Sequence, residues 1–286
     1  MKVSEAIEEY MASKKRLKPK TRAGYGYALT LFSTWCDEHN IKLDGLKAKT
    51  VEEFIQCLPA AIHPKKKGVE TSSTYTVAWY TTIVKAFLHW CALDEDFEQF
   101  VEIRTVEKIE KPKKDQLVTT VFTTEQLQKM LAACEQEITP ELVQRNKAIV
   151  LLLSDTGIRS EELTGLCLDQ IDLSPLDEQK GRQPHIRVFG KNSKWREVGL
   201  GERCRKELWR YVTRFRAPDR DKHVPIFLSR TGEPLTYSGL HKNVKIIGER
   251  AGIKGVRPHL FRHFYAVSYM RQPGSDIFKL SRLMGH

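Results

Sequence analysis

At 286 residues the chain is too long for one ordinary core and suits two domains. With 41% hydrophobic and 29% charged residues it has the composition of a soluble globular protein, and its longest strongly apolar stretch, Ala148 to Leu153, is far too short to span a bilayer. The net charge of +11 is unevenly placed: residues 1–110 balance 16 basic against 16 acidic side chains, whereas residues 119–286 hold 28 against 19. A polyanion is the natural partner for that back half, because neutralising phosphates releases counterions. Glu5, Glu8 and Glu9 exclude a signal peptide. The six cysteines are scattered without a C-x-x-C pair, so neither a zinc site nor a disulfide framework is indicated, and the cytoplasm is the expected compartment.

In chain order, Val3 to Tyr10 carries apolar residues at helical spacing, and Tyr25, Leu29, Phe32, Trp35 and Cys36 follow the rhythm of a second amphipathic helix. Thr50-Val51-Glu52-Glu53 reads as a capping box for a short helix through Leu58. A longer helix follows from about Thr74, with Trp79, Ile83, Phe87 and Trp90 on one face. These four make a small all-α bundle over residues 1–107. Residues 108–118 contain Lys108-Ile109-Glu110-Lys111-Pro112-Lys113-Lys114-Asp115, polar and aperiodic, and read as a linker.

The second domain, 119–286, opens with a helix capped at Thr123 with Gln126 three residues on. Leu142 to Asp155 is the next helix, with Gly157 as its left-handed terminator. His185 to Phe189 and Arg196 to Leu200 alternate as strands around a turn, a β-hairpin with Lys191 at its tip. Helices are predicted again at about Glu202 to Arg216, Tyr237 to Ala251, Pro258 to Arg271 and Asp276 to Leu283. The fold class is therefore mainly α with a small β-hairpin or sheet, a helical domain followed by a mixed α/β one.

Three pieces of the second domain carry chemistry. Pro258 suits a first helical turn, which puts His259 and Arg262 on one face at i, i+3. An arginine fork binds two phosphate oxygens, and a histidine beside it can hydrogen-bond the phosphate or move a proton. Arg159 follows the Gly157 terminator and precedes Glu161 and Glu162. Lys191 on a hairpin tip can reach a groove and donate a proton to a leaving alkoxide. Each piece alone has a plain structural explanation: a basic surface helix, a surface ion pair, a solvated turn.

Together they are specific. Thr156-Gly157-Ile158-Arg159, then Gly190-Lys191, then His259-Leu260-Phe261-Arg262-His263, then Met284-Gly285-His286 resembles the tyrosine recombinase family of phage integrases and Xer-type recombinases. Thr21, Tyr25, Leu29 and Phe32 match a helix of that family's core-binding domain, so the resemblance covers nearly the whole chain. It implies that Arg159 and Arg262 clamp the scissile phosphate, and that Lys191 protonates the leaving 5′ oxygen. It further implies that His259 is an acid/base and positioning group, that His286 hydrogen-bonds the phosphate, and that Glu162 supports Arg159. His263 completes the second box as a structural residue. Phe261 and Met284 stand where leucines are usual, both as apolar swaps facing the core.

The resemblance also implies a C-shaped clamp on duplex DNA, a homotetramer on DNA in the complete protein, and no metal or nucleotide cofactor. Arg22, Lys65, Lys66 and Lys194 are candidate DNA contacts. The family's tyrosine nucleophile lies roughly nine residues beyond Gly-His, where this sequence has no residue. The expectation is a chain truncated before its tyrosine, monomeric, binding DNA without cutting it. A DNA-binding remnant without catalysis is the competing reading. Tyr265 and Tyr269 are read as core, and Tyr237 as the start of a helix, not as substitute nucleophiles.

Overall fold

The computed structural model describes residues 1–62, 74–112, 120–177, 179, 181–190, 194–216 and 223–285. The chain divides into two compact units, Met1–Val118 and Thr119–His286.

Among the described residues the first unit is helical: α1 (Val3–Ser13), α2 (Pro19–Glu38), α3 (Ala48–Ile62), α4 (Thr74–Cys91) and α5 (Ile103–Lys108). Its core is aromatic. Tyr10 meets Phe87 with ring centroids 5.5 Å apart, and Phe32 meets Phe54 at 4.9 Å, both edge to face. Leu29, Phe32, Trp35 and Cys36 of α2 are buried, as their spacing predicts.

Three local expectations differ. Helix α3 begins at Ala48, because the Lys47 carbonyl already accepts from the Val51 N–H at 3.2 Å; Thr50 lies inside the first turn and does not cap it. On α4 the buried position is Tyr80, while Trp79 is 44% exposed and lies edge-on to Tyr80. The segment read as linker from residue 108 is packed at its start: Lys108 ends α5, Ile109 is buried, and the Ile109 carbonyl accepts from Lys85 Nζ at 2.9 Å.

The second unit contains α6 (Thr124–Ala133), α7 (Pro140–Thr156), α8 (Ser160–Thr164), β1 (Ile171–Asp172), β2 (His185–Phe189), β3 (Trp195–Gly199), α9 (Glu202–Phe215), α10 (Tyr237–Arg250), α11 (Pro258–Met270) and α12 (Ile277–Met284). The mainly helical fold class with a small sheet stands. The hairpin strands pair antiparallel with Phe189 opposite Trp195, and the short β1, absent from the sequence reading, adds a third strand beside β2.

Helix α7 is the axis of this unit. Ala148 to Leu153 are all buried, so the helix is apolar all round at that level and packs against α9 and α11. Its polar residues are bound too. Arg145 donates to the Leu228 carbonyl at 2.6 Å, and the Asn146 Oδ1 accepts from Asn243 of α10 at 2.7 Å. The predicted caps are present: Thr123 and Gln126 exchange reciprocal bonds at the start of α6, and Pro258 occupies the first turn of α11.

Gly157 ends α7 at φ 59°, with its N–H on the Leu153 carbonyl. A Cβ there would stand 2.6 Å from Cδ1 and 2.9 Å from Cγ of Tyr265, the fixed base of that ring. Strain and overlap therefore add. Gly157→Ala is expected to cost about 3 kcal/mol in urea unfolding. Combining it with Tyr265→Ala should give less than the sum of the single losses, and strict additivity would show that the two residues do not collide.

Candidate active site

The sharp turn at Gly157 sets the site. Ile158 is buried beneath it, and Arg159 follows in extended conformation as the N-cap of α8. The Arg159 N–H donates to Glu162 Oε2 at 2.8 Å, and its carbonyl accepts from the Leu163 N–H at 3.0 Å. Its guanidinium then folds back, with Nη1 on Glu162 Oε1 at 3.1 Å and Nη2 on the Gly285 carbonyl at 2.9 Å. Backbone and side chain of Arg159 are thus fixed by one carboxylate and by a residue 126 positions away.

Glu162 has a side chain only 5% exposed. Besides Arg159 it accepts a two-pronged bond from Arg196 of β3, Nη1 and Nη2 each at 2.8 Å. Burial pushes its pKa up, but the Arg196 bonds, the Arg159 N–H and the Arg159 guanidinium together outweigh it and leave the carboxyl below its ordinary range. Arg196 escaped the sequence reading. Its only signal is the strand period, which puts it on the inward face with Val198, an arginine where an apolar residue belongs.

Arg262 is 5% exposed. Its Nη1 donates to the Gly157 carbonyl at 2.7 Å and its Nη2 to the Met284 carbonyl at 2.5 Å. Arg196 Nε adds a bond to the Leu283 carbonyl at 2.8 Å. Three consecutive carbonyls at the end of α12, those of Leu283, Met284 and Gly285, thus each receive an N–H from a different arginine. A helix C-terminus leaves these groups without intrahelical partners and carries partial negative charge, so it is a suitable anchor for cations. Gly285 closes the helix at φ 68°, and a Cβ on it would lie 3.0 Å from Arg196 Nη1. Burial, then the neighbouring Arg159 and Arg196, push the Arg262 pKa down to about 10, against the pull of Glu162; it remains charged at neutral pH.

Arg159, His259 and Arg262 line one cleft of about 310 Å3 together with Ile158, Ser160, Glu161, Tyr237, His241 and Pro258. His259 is exposed on the first turn of α11, at right angles to His263 with centroids 4.5 Å apart. Lost hydration against the cleft, followed by the neighbouring His263, Arg262 and Arg257, lowers its pKa below 6.5 and favours the neutral imidazole at pH 7. The structure therefore brings Arg159, Glu162, His259 and Arg262 together. Phe261 and Met284 are buried, as expected.

Tyr265 and Tyr269 are half-buried rather than core, because α11 turns that flank toward a second hollow bordered by Asp155 and Gly201. Arg22 on α2 and Lys194 beside β3 are exposed. Lys65, Lys66, Lys191 and His286 lie outside the described residues.

Glu162→Gln leaves Arg196, with a side chain 12% exposed, facing a neutral group. It is expected to cost about 3 kcal/mol at pH 7. Because the folded pKa of Glu162 lies below its unfolded value of about 4.5, its stabilisation is complete above that value and is lost as pH falls through the folded pKa. Chemical denaturation of both proteins from pH 7 to pH 3 should show the gap closing below about pH 4.5. A constant gap would contradict the role given to the charge.

The matches to known proteins agree with this geometry. The model of the phage integrase family matches residues 120–286. Tyrosine recombinase XerC of Staphylococcus carnosus is 26% identical over 97% of this chain and 86% of its own length, and tyrosine recombinase XerD of Chlorobaculum tepidum is 28% identical over 100% and 88%. The fold is shared with XerH site-specific recombinase bound to palindromic difH substrate (TM-score 0.74, 18% identity, 99% of this chain, 78% of that one). It is also shared with a lambda integrase dimer bound to a core site (TM-score 0.70, 15% identity, 100% and 95%). The chain belongs to the phage integrase family.

Proposed function

We propose that this protein is a site-specific DNA recombinase of the tyrosine type which, in its complete form, cleaves and rejoins duplex DNA through a 3′-phosphotyrosine intermediate in the cytoplasm. The observation that carries the reading is the convergence of Arg159, Arg262 and His259 on one cleft, in a fold whose solved relatives include complexes with DNA.

In this reading the two guanidinium groups hold the non-bridging oxygens of one phosphodiester. A tyrosine hydroxyl attacks phosphorus in line as its proton passes to the imidazole of His259, and the bond to the 5′ oxygen breaks. Lys191 supplies the proton that oxygen needs. His259, neutral at pH 7, and His286 hydrogen-bond the phosphate, and Glu162 keeps Arg159 aimed. Fixed cations stabilise the charge that develops on the five-coordinate phosphorus, and rejoining is the same step reversed with a different strand's 5′ hydroxyl. Arg22, Lys65, Lys66 and Lys194 are proposed contacts to the flanking backbone, residues 1–107 the core-binding domain, and a homotetramer the working assembly on DNA.

Two measurements test this. Filter binding to duplex DNA should weaken steeply with added salt, and Arg262→Lys or Arg159→Lys should weaken it further through loss of the planar fork. With a protein that also carries the family's tyrosine after Gly285-His286, recombination should occur on a plasmid bearing two copies of the selected site, and it should vanish with Arg159→Ala or Arg262→Ala. Binding without recombination would overturn the enzyme and leave a DNA-binding protein. Binding that ignores salt would overturn both.

A further inference from the structure

The cleft has a second wall, on which the reading above places no role. Ser160 is the first residue of α8, immediately after Arg159, and His241 sits on the second turn of α10. His241 Nε2 lies 3.3 Å from Ser160 Oγ. The imidazole stacks on Tyr237, with centroids 4.4 Å apart and planes inclined by 30°, which fixes its orientation. Helix α10 is itself anchored, through Asn243 on Asn146 at 2.7 Å, Arg250 on Glu137 at 2.6 Å, and the Thr236 cap on the Gly239 N–H at 3.1 Å. The pair is therefore held in place relative to Arg159 and lines the same cleft.

Its chemistry follows from counting protons. His241 is half-buried, and burial lowers its pKa below 6.5, so the imidazole is neutral at pH 7 and carries one N–H. Ser160 carries one O–H. Their mutual bond uses one of these two protons in either tautomer, and the other is left to donate: His241 Nδ1–H in one case, the Ser160 hydroxyl in the other. The pair thus offers one hydrogen-bond donor and no charge.

Successive phosphates of one strand follow each other at a rise of about 3.4 Å along the duplex axis. Ser160 directly follows Arg159 in the chain, so a strand with one phosphate between Arg159 and Arg262 can bring its next phosphate to the Ser160–His241 wall. We propose that Ser160 and His241 form a second, neutral phosphate seat, which binds the backbone phosphate adjacent to the one clamped by the two arginines. The inference rests on the phosphate-clamp reading of Arg159 and Arg262. Such a seat fixes the register of the strand by geometry and contributes nothing to counterion release.

The test pairs side-chain removal with removal of single phosphate charges. The probes are duplexes bearing a site selected by the wild-type protein from a random pool, each with one neutral methylphosphonate. The clamped phosphate is the one whose replacement is coupled to Arg262→Lys. Replacement of its neighbour should lower wild-type affinity about tenfold, the scale of a hydrogen bond to a charged acceptor, and lower His241→Ala affinity less than twofold. His241→Gln, which keeps a donor of similar reach, should retain the coupling. His241→Ala should also leave the slope of log affinity against log salt unchanged, unlike the arginine variants. Should thermal melting show that His241→Ala does not fold, Ser160→Ala removes a single hydroxyl and should abolish the same coupling. Coupling of Arg262 to one phosphate without coupling of His241 or Ser160 to its neighbour would overturn the seat alone. Absence of any Arg262 coupling would overturn the clamp and the seat with it.

Discussion

Three arginines of like charge share the end of one short helix. That arrangement is unfavourable unless something compensates it, and the rest of the site is organised around the compensation. Two unit charges a few ångströms apart interact by about 4 kcal/mol at an intermediate dielectric. Glu162 supplies one full negative charge, bonded to Arg159 and to Arg196 at once. The last carbonyls of α12 supply the remainder, one to each arginine. At Arg262 burial first, and then the neighbouring Arg159 and Arg196, still depress the pKa to about 10. In the proposed reading, a phosphate diester entering the cleft brings negative charge to groups already held in place.

This explains why the site draws on parts of the chain that are far apart. Arg159 comes from the turn after α7, Arg196 from the hairpin, His259 and Arg262 from α11, and the anchoring carbonyls from α12. Before any ligand arrives, Arg159 and Arg196 are joined through Glu162, and Arg262 is held on the Gly157 and Met284 carbonyls. Donors that are already oriented need no reorganisation when charge develops on phosphorus, which is how a site with fixed cations lowers a barrier. The apolar axis of α7 gives this polar layer a rigid floor, and Gly157 lets the chain turn from that axis directly into Arg159.

Much of this was legible in the sequence because the signals are local. Gly157 as a left-handed terminator, Pro258 at a first turn, the Thr123 cap and the alternation of the hairpin each depend on residues within a few positions. Arg159, His259 and Arg262 were found from their order along the chain. Arg196 was not, because its importance lies in a contact with Glu162 across 34 residues and in a carbonyl 87 residues away. The backbone roles of Leu283, Met284 and Gly285 were equally hidden, since a carbonyl carries no side-chain signature. Helix α8 is five residues long and β1 two, both too short to show a period. Tyr265 and Tyr269 have helical spacing that suits a core, yet they border a hollow, and spacing alone does not say what lies opposite a face.

The central claim is that one phosphate sits between Arg159 and Arg262 while Glu162 and the end of α12 hold those arginines from behind. A crystal structure of the protein on duplex DNA tests it most directly. The account predicts a single backbone phosphate within hydrogen-bond distance of both guanidinium groups, with the bonds to Glu162, Gly157, Met284 and Gly285 retained. Arginines bound to different phosphates, or turned away from those carbonyls to reach the DNA, would contradict it.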